Sequence, residues 1–387
     1  MLRPWSGCHR LWRSHRADAM PGGIFELRRD AITGWWVAVV VDRAFEAGRF
    51  EHRAQVASAH ACQNCTREQM TVPWIRTLRA HAFRVAGDER TFRDAERTVR
   101  DGDRPGRDQS ERPAREPGSR IVRDVYERGP RDGHDADLQP GLGLVADVGS
   151  WLTIVAPHGH HGTLADEPPS IVIRMLELVR RTIGDARANG GTEYVQVVEN
   201  HGREAGALTN HLCLDLYDLP QIPHRIGEEL GGSARYLIRE GICPYCRLVR
   251  EELASRERLV FEDAASVAFA PYASRSPFEL WVVPRQHQSD FAIASDAQLT
   301  SAAGTLQKVL RLLDALDGPP YNLVLHTAPL HQRVDETYHW HWEIHPRLRE
   351  IAGLELGTGL PVNPVSPETA VAELRSRAGL DRVEWPS

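Results

Sequence analysis

Apolar positions along this 387-residue chain follow two periods, and the two periods alternate in the same order twice. Trp35 to Val41 is a β-rich run after the turn-forming Ile32-Thr33-Gly34, which predicts a strand. Trp151 to Val155 predicts another. Ile173, Leu176, Val179 and Ile183 then fall at helical spacing, so a helix is expected over roughly 169–187. Strands follow at Tyr194–Glu199 and at 211–217. The second pass repeats the plan: a strand at Leu280–Pro284, then Ser295-Asp-Ala-Gln298, which has capping-box form. A helix to about 316 carries Leu299, Ala303, Leu306, Leu310 and Leu313 on one face. Strands at Asn322–His326 and His339–Ile344 close that pass. Strand, helix, strand, strand, given twice, predicts an α+β protein of two tandem units, with antiparallel sheets and packed helices. We draw the units at 23–230 and 231–387. Residues 1–22, rich in Arg, Trp and His, are read as a disordered extension. Residues 86–140, dense in Arg, Asp, Gly and Pro, are read as a low-complexity insertion in the first unit.

Metal-ligand residues repeat in step with these elements. The first copy has Cys62-Gln-Asn-Cys65, then Pro157-His-Gly-His160, then His211-Leu-Cys213-Leu-Asp215. The second has Cys243-Pro-Tyr-Cys246, Pro284-Arg-Gln-His287 and His339-Trp-His341-Trp-Glu343. His160 to His211 is 51 residues and His287 to His339 is 52, so the spacing itself repeats. Cys65 to His160 is 95 residues against 41 from Cys246 to His287, an excess that the 86–140 insertion accounts for. A Cys-x-x-Cys with two later histidines is a Cys2His2 donor set for Zn2+. Two zinc sites are therefore expected: Cys62, Cys65, His160 and His211, with His158 and His161 as alternatives to His160, and Cys243, Cys246, His287 and His339. Residues i, i+2 and i+4 of a strand share a face. If zinc takes the first His of each strand motif, the next residue is held beside it in a place that suits a nucleophile.

Composition narrows the setting. A net charge of −6 gives no global footprint for nucleic acid, and no apolar run approaches the length that spans a bilayer. Six cysteines, four of them in the Cys-x-x-Cys pairs, and no signal-peptide pattern point to a reduced cytoplasm. Lys308 is the only lysine, so positive charge is nearly all arginine. Arg275 and Arg285 are candidate phosphate ligands, or ordinary surface charges.

His-x-His-x-(His/Gln/Glu) strands resemble the mark of the histidine-triad superfamily, and two fused copies resemble the galactose-1-phosphate uridylyltransferase family. Arg29-Asp-Ala-Ile-Thr-Gly34-Trp is similar to that family's N-terminal signature. Asn200-His-Gly-Arg-Glu-Ala-Gly206-Ala is similar to its phosphate-binding segment. Phe269-Ala-Pro-Tyr-Ala-Ser-Arg-Ser-Pro-Phe278, His339-Trp-His-Trp-Glu343 and Gly357-Thr-Gly-Leu-Pro-Val-Asn-Pro364 match most closely. The resemblance implies nucleotidyl transfer between a nucleotide sugar and a sugar 1-phosphate, with Asn200, Gly206, Arg275 and Glu343 as substrate contacts. It also implies a homodimer.

One departure falls on the chemistry. The family's first-half strand reads His-Pro-His-Gly-Gln, and its nucleophilic His falls on Cys213, its Gln on Asp215. Three readings stay open. Cys213 is the nucleophile, although the Asp215 carboxylate on the same face opposes thiolate formation. His341, its counterpart in the second half, carries chemistry instead. Or the site binds nucleotide and zinc without transferase turnover, or has been retuned to hydrolysis or phosphorolysis.

Overall fold

The computed structural model describes residues 25–40, 120–124, 150–156, 162–189 and 191–378. Cys62, Cys65, His158, His160, His161, the 1–22 extension and most of the 86–140 insertion lie outside the described residues. The strands are β1 (Phe25–Arg29), β2 (Trp36–Val40), β3 (Arg120–Asp124), β4 (Ser150–Val155), β5 (Tyr194–His201) and β6 (Cys213–Leu219). They continue as β7 (Leu259–Glu262), β8 (Ser266–Phe269), β9 (Leu280–Pro284), β10 (Tyr321–His326), β11 (His341–Pro346) and β12 (Val362–Asn363). The helices are α1 (Pro169–Asn189), α2 (His224–Glu240), α3 (Pro244–Ser255), α4 (Asp296–Leu312), α5 (Gly353–Thr358) and α6 (Pro367–Arg377).

Among the described residues, nine strands form one antiparallel sheet in the order β3-β4-β6-β5-β10-β11-β9-β8-β7. The order is symmetric about the β5·β10 pair: β5, β6 and β4 leave it on one side as β10, β11 and β9 do on the other. α1 connects β4 to β5 and α4 connects β9 to β10, so both helices reach the same face of the sheet. Val172, Met175, Leu176 and Val179 of α1 meet Leu299, Leu306 and Val309 of α4 over Ile154, Leu214, Val197 and Leu323. That packing is the largest core among the described residues, and its period-3.6 and period-2 patterns are the ones legible in the sequence. Ser295 and Gln298 close the capping box at the start of α4. A smaller core lies on the other face of the second half, where Ile226 and Leu230 of α2 and Tyr245 and Val249 of α3 cover Trp281 and Val283.

Several boundaries differ from the sequence reading. Strands expected at 211–217 and 339–344 begin two residues later, at Cys213 and His341. In both, the leading histidine precedes the ladder: Ala156 N–H donates to Leu212 O, and Trp340 N–H to Gln288 O. Part of the 86–140 insertion is not loop, because Arg120–Asp124 pairs with β4 as an edge strand. α2 runs through residue 230, where the sequence reading divides the two units. β1, β2 and β12 make a separate three-stranded sheet, with β12 parallel to β2. Arg28 ties this sheet to the body through Glu368, 3.0 Å away, while its guanidinium lies over the Tyr272 ring. The turn between β1 and β2 sits on α2 at Gly232, where an added Cβ would meet the Ile32 carbonyl oxygen at 1.8 Å. Only glycine permits that approach.

Candidate functional site

The face of the large sheet opposite α1 and α4 carries the chemistry-bearing side chains. Ladder register sets who neighbours whom. Cys213 lies opposite Val155, Asp215 between Thr153 and Val198, Asn200 opposite Asn322, Val324 opposite Glu343, and His326 opposite His341. Period-2 alternation therefore aims Cys213, Asp215, Asn200, Asn322, His341 and Glu343 to one side. Cys213 and Asp215 do share a face, as their spacing predicts.

In the first half this face is half-buried. Thr153 Oγ1 donates to Asp215 Oδ1 at 2.7 Å, and Trp151 Nε1 donates to the same oxygen at 2.9 Å. The Asp215 carboxylate is thus held by neutral donors from β4. The Trp151 and Tyr217 rings lie 5.2 Å apart beside it. Beside β6, β5 runs out through His201 into the loop that ends at Gly206, so Asn200 sits in the ladder and Gly206 just past it. His211 is buried, and its Nε2 donates to Ala156 O at 2.7 Å. A metal held by His211 would then take Nδ1 rather than Nε2.

In the second half the same face is enclosed. Glu343 is fully buried, and Arg225 Nη2 donates to both its oxygens at 2.6 and 2.8 Å. Arg275 Nη2 adds a bond at 2.8 Å and also reaches Glu279 at 2.9 Å. Burial opposes ionisation of Glu343, but Arg225, Arg275 and His326 overcome it and hold the carboxyl well below its usual range. Glu229 accepts from His326 Nδ1 at 3.1 Å and from Tyr338 at 2.8 Å. Burial is again outweighed, here chiefly by His326 and Arg225, and the Glu229 carboxyl is held at about 2. The His341 ring is fully buried, stacked on Trp281 at 4.7 Å and close to Tyr245 at 5.1 Å. Arg275 and Glu343, expected as substrate contacts, are here partners of each other. Asp30, Arg225, Glu229, Arg275 and Trp281 line a small cavity above them.

Among the described residues, Cys243, Cys246, His287 and His339 converge with their ligand atoms all within 4.8 Å of one another. Cys246 Sγ is 3.2 Å from His287 Nδ1 and 3.8 Å from His339 Nδ1. Donors around a tetrahedral zinc stand roughly 3.5 Å apart, so these four fit the ion. His287 Nε2 donates to Asp335 O, fixing Nδ1 as the ligand atom. The thiol hydrogen bond from Cys243, then those with His287 and His339, holds the Cys246 thiol far below the ordinary range. Two further groups converge within the same limit: Glu229, His326 and His341, and Glu279, Glu343 and His345. Their carboxylates already face arginines, which the cysteine set does not.

Arg225, Glu229 and His326 belong to this cluster, and the sequence reading does not reach them. Arg225 and Glu229 stand four apart on α2, a spacing that marks a helix pair but not its target. His326 ends a predicted strand, yet its role depends on the ladder with His341.

No family model matches the chain. An ADP-glucose phosphorylase of Arabidopsis thaliana is 27% identical over 362 residues, covering 90% of this chain and 92% of that protein. A galactose-1-phosphate uridylyltransferase of Thermotoga maritima is 28% identical over 231 residues, covering 57% of this chain and 72% of that protein. A solved structure of the Arabidopsis thaliana ADP-glucose phosphorylase with bound ADP-glucose superposes with a TM-score of 0.64 at 25% identity, over 91% of this chain and 98% of its own.

Proposed function

From this likeness to uridylyltransferase-like proteins in both sequence and fold, we propose that the chain is an enzyme that moves a nucleotidyl group between a nucleotide sugar and a phosphate-bearing acceptor. The observation that carries the reading is the similarity along nearly the whole length to an ADP-glucose phosphorylase. It favours inorganic phosphate as acceptor over the sugar 1-phosphate of a transferase. In phosphorolysis a phosphate oxygen bonds to the α-phosphorus, and the bond from that phosphorus to the sugar-phosphate oxygen breaks. The products are a nucleoside diphosphate and a sugar 1-phosphate. If Cys213 is the nucleophile, its Sγ first displaces the sugar 1-phosphate, and phosphate then displaces Sγ. Asn200 and Gly206 are read as phosphate contacts, and Asp215 as the group that orients the reacting atoms. The enclosure of His341 by Trp281 and Tyr245 supports a first-half site over a second-half one.

Zinc belongs to the proposal as two structural ions, one on Cys243, Cys246, His287 and His339 and one on Cys62, Cys65, His160 and His211. Each would pin the start of a strand and tie it to a distant Cys-x-x-Cys. The tandem-unit organisation, the homodimer and the cytoplasmic setting are carried with the same reading; no helix among the described residues is long and apolar enough to cross a membrane.

A second reading rests on Cys213 itself: a zinc-stabilised nucleotide-binding protein without turnover. One experiment separates the two. Zinc-loaded protein is mixed with ADP-glucose or UDP-glucose and either labelled phosphate or labelled glucose 1-phosphate. Label is followed into nucleoside diphosphate and into nucleotide sugar, beside Cys213→Ala and His341→Ala. Phosphorolysis puts label from phosphate into the nucleoside diphosphate, and Cys213→Ala abolishes it. Label passing from glucose 1-phosphate into nucleotide sugar identifies transfer. No label movement with either nucleotide leaves the binding reading.

A further inference from the structure

We infer that Asn322, contributed by the second half, is the positioning residue of the Asn200–Gly206 loop and fixes which way the Asn200 amide points. The inference rests on the proposal that this loop contacts phosphate. Asn200 and Asn322 face each other across β5 and β10, the ladder that joins the two halves of the large sheet. Asn322 Nδ2 is 2.7 Å from the Ala205 carbonyl oxygen and 2.7 Å from Asn200 Oδ1.

The chemistry of these contacts leaves one arrangement. A carbonyl oxygen only accepts, so the Asn322 atom at Ala205 is the nitrogen. That nitrogen has a second hydrogen, directed at Asn200, so the Asn200 atom facing it is the oxygen. The Asn200 amide nitrogen is then turned away from Asn322, and it meets no acceptor among the described residues. An N–H pair beside a loop is what a phosphate oxygen needs. Free rotation would present the carbonyl half the time, and that end repels an anion.

The same segment holds the loop from below. Gly202 has φ 82° and packs on Pro320, whose Cβ would lie 2.8 Å from any Cβ placed there. The His201 and Tyr321 rings stack at 5.0 Å, and Tyr321 OH donates to Glu199 Oε1 at 2.9 Å. Within the loop, Ala207 N–H donates to Gly202 O at 3.1 Å and Gly206 takes φ 88°. Pro320, Tyr321 and Asn322 are consecutive, so one short stretch of the second half shapes a first-half loop.

The test is nucleotide-sugar affinity, measured by titration calorimetry with ADP-glucose and UDP-glucose on the full zinc-loaded chain. Asn322→Asp keeps the shape but sets an oxygen against two oxygens; Asn322→Ser keeps one donor. Thermal unfolding of each variant establishes that it is folded. Asn200→Ala is expected to weaken binding about tenfold or more. Asn322→Asp should match that loss, Asn322→Ser should lie between it and the unaltered chain, and the double variant Asn200→Ala, Asn322→Asp should fall short of the product of the two losses. A loss on Asn200→Ala with affinity kept within twofold in folded Asn322→Asp and Asn322→Ser overturns the inference alone. An unchanged affinity in Asn200→Ala, or no binding by the unaltered chain, overturns the phosphate reading of the loop and the inference with it.

Discussion

One sheet face carries the same residue pattern at both ends, and the two ends treat its acid in opposite ways. In the second half, Glu343 is fully buried between Arg225 and Arg275, under α2, α3 and the β1–β2 turn. In the first half, Asp215 is half-buried and held by the neutral donors of Thr153 and Trp151. A buried carboxylate needs full charges around it, because burial otherwise drives it to the neutral form. Asp215 is only half-buried and accepts from two neutral donors, Thr153 and Trp151. The repeated pattern thus encloses its acid among arginines on one side and leaves it half-buried on the other.

The comparison predicts where mutations hurt. Glu343→Gln leaves two arginines sharing fewer anions in a buried setting and should destabilise the fold by about 3–5 kcal/mol. Urea unfolding measures it, and a loss under about 1 kcal/mol would break the contrast between the halves. Gly232→Ala is next, at about 1–3 kcal/mol, because the new Cβ drives into the Ile32 carbonyl. Thermal unfolding should drop, with faster proteolysis in the β1–β2 turn; an unchanged midpoint would mean the turn does not seal the second half.

At the seam between the halves, burial raises the Glu199 carboxyl to about 8, against which the Tyr321 hydroxyl works only partly. The folded pKa lies above the unfolded one, so the contribution is full below about 4.5 and is lost as pH rises through 8. Wild-type stability should fall by roughly 1 kcal/mol per pH unit across that window from this group. Glu199→Gln should flatten the slope; an identical slope in both proteins would place the ionisation elsewhere. The smallest stability effect is expected for Asp215→Asn, under about 1 kcal/mol, since both donors still find an oxygen. Its signature is instead a fall in nucleotide-sugar turnover, read in the same label assay, and a large loss of stability would place Asp215 with Glu343 as a structural acid.

The helix-covered side of the sheet is legible in the sequence. Leu176, Val179 and Ile183 announce one helix by spacing alone, and Leu299, Leu306 and Leu310 announce the other. The cysteine–histidine set is legible too, because Cys243, Cys246, His287 and His339 are rare residues in a repeated order. α2 is not. Gly227, Gly231 and Gly232 weaken its helical signal, and Gly232 is there for the approach of Ile32, which no local pattern reveals. Nor does any periodicity show that Arg275 and Glu343 meet, since the pairing depends on β11 lying two ladders from β5 and on α2 closing above it. His341 as a candidate nucleophile follows from strand alternation alone. Its enclosure by Trp281 and Tyr245 is a tertiary fact.

The three-stranded sheet also sets a timetable for synthesis. The β1–β2 hairpin is complete by Val40, but its third strand begins at Val362 and its ion-pair partner Glu368 comes later still. At ribosomal speeds of about 5–20 residues per second, the hairpin waits on the order of half a minute for both. Its edge is unpaired in that interval, when an emerging chain is most open to mispairing and to chaperones. Slowing translation before Val362 should therefore lower the soluble yield more than the same pause placed after Glu368.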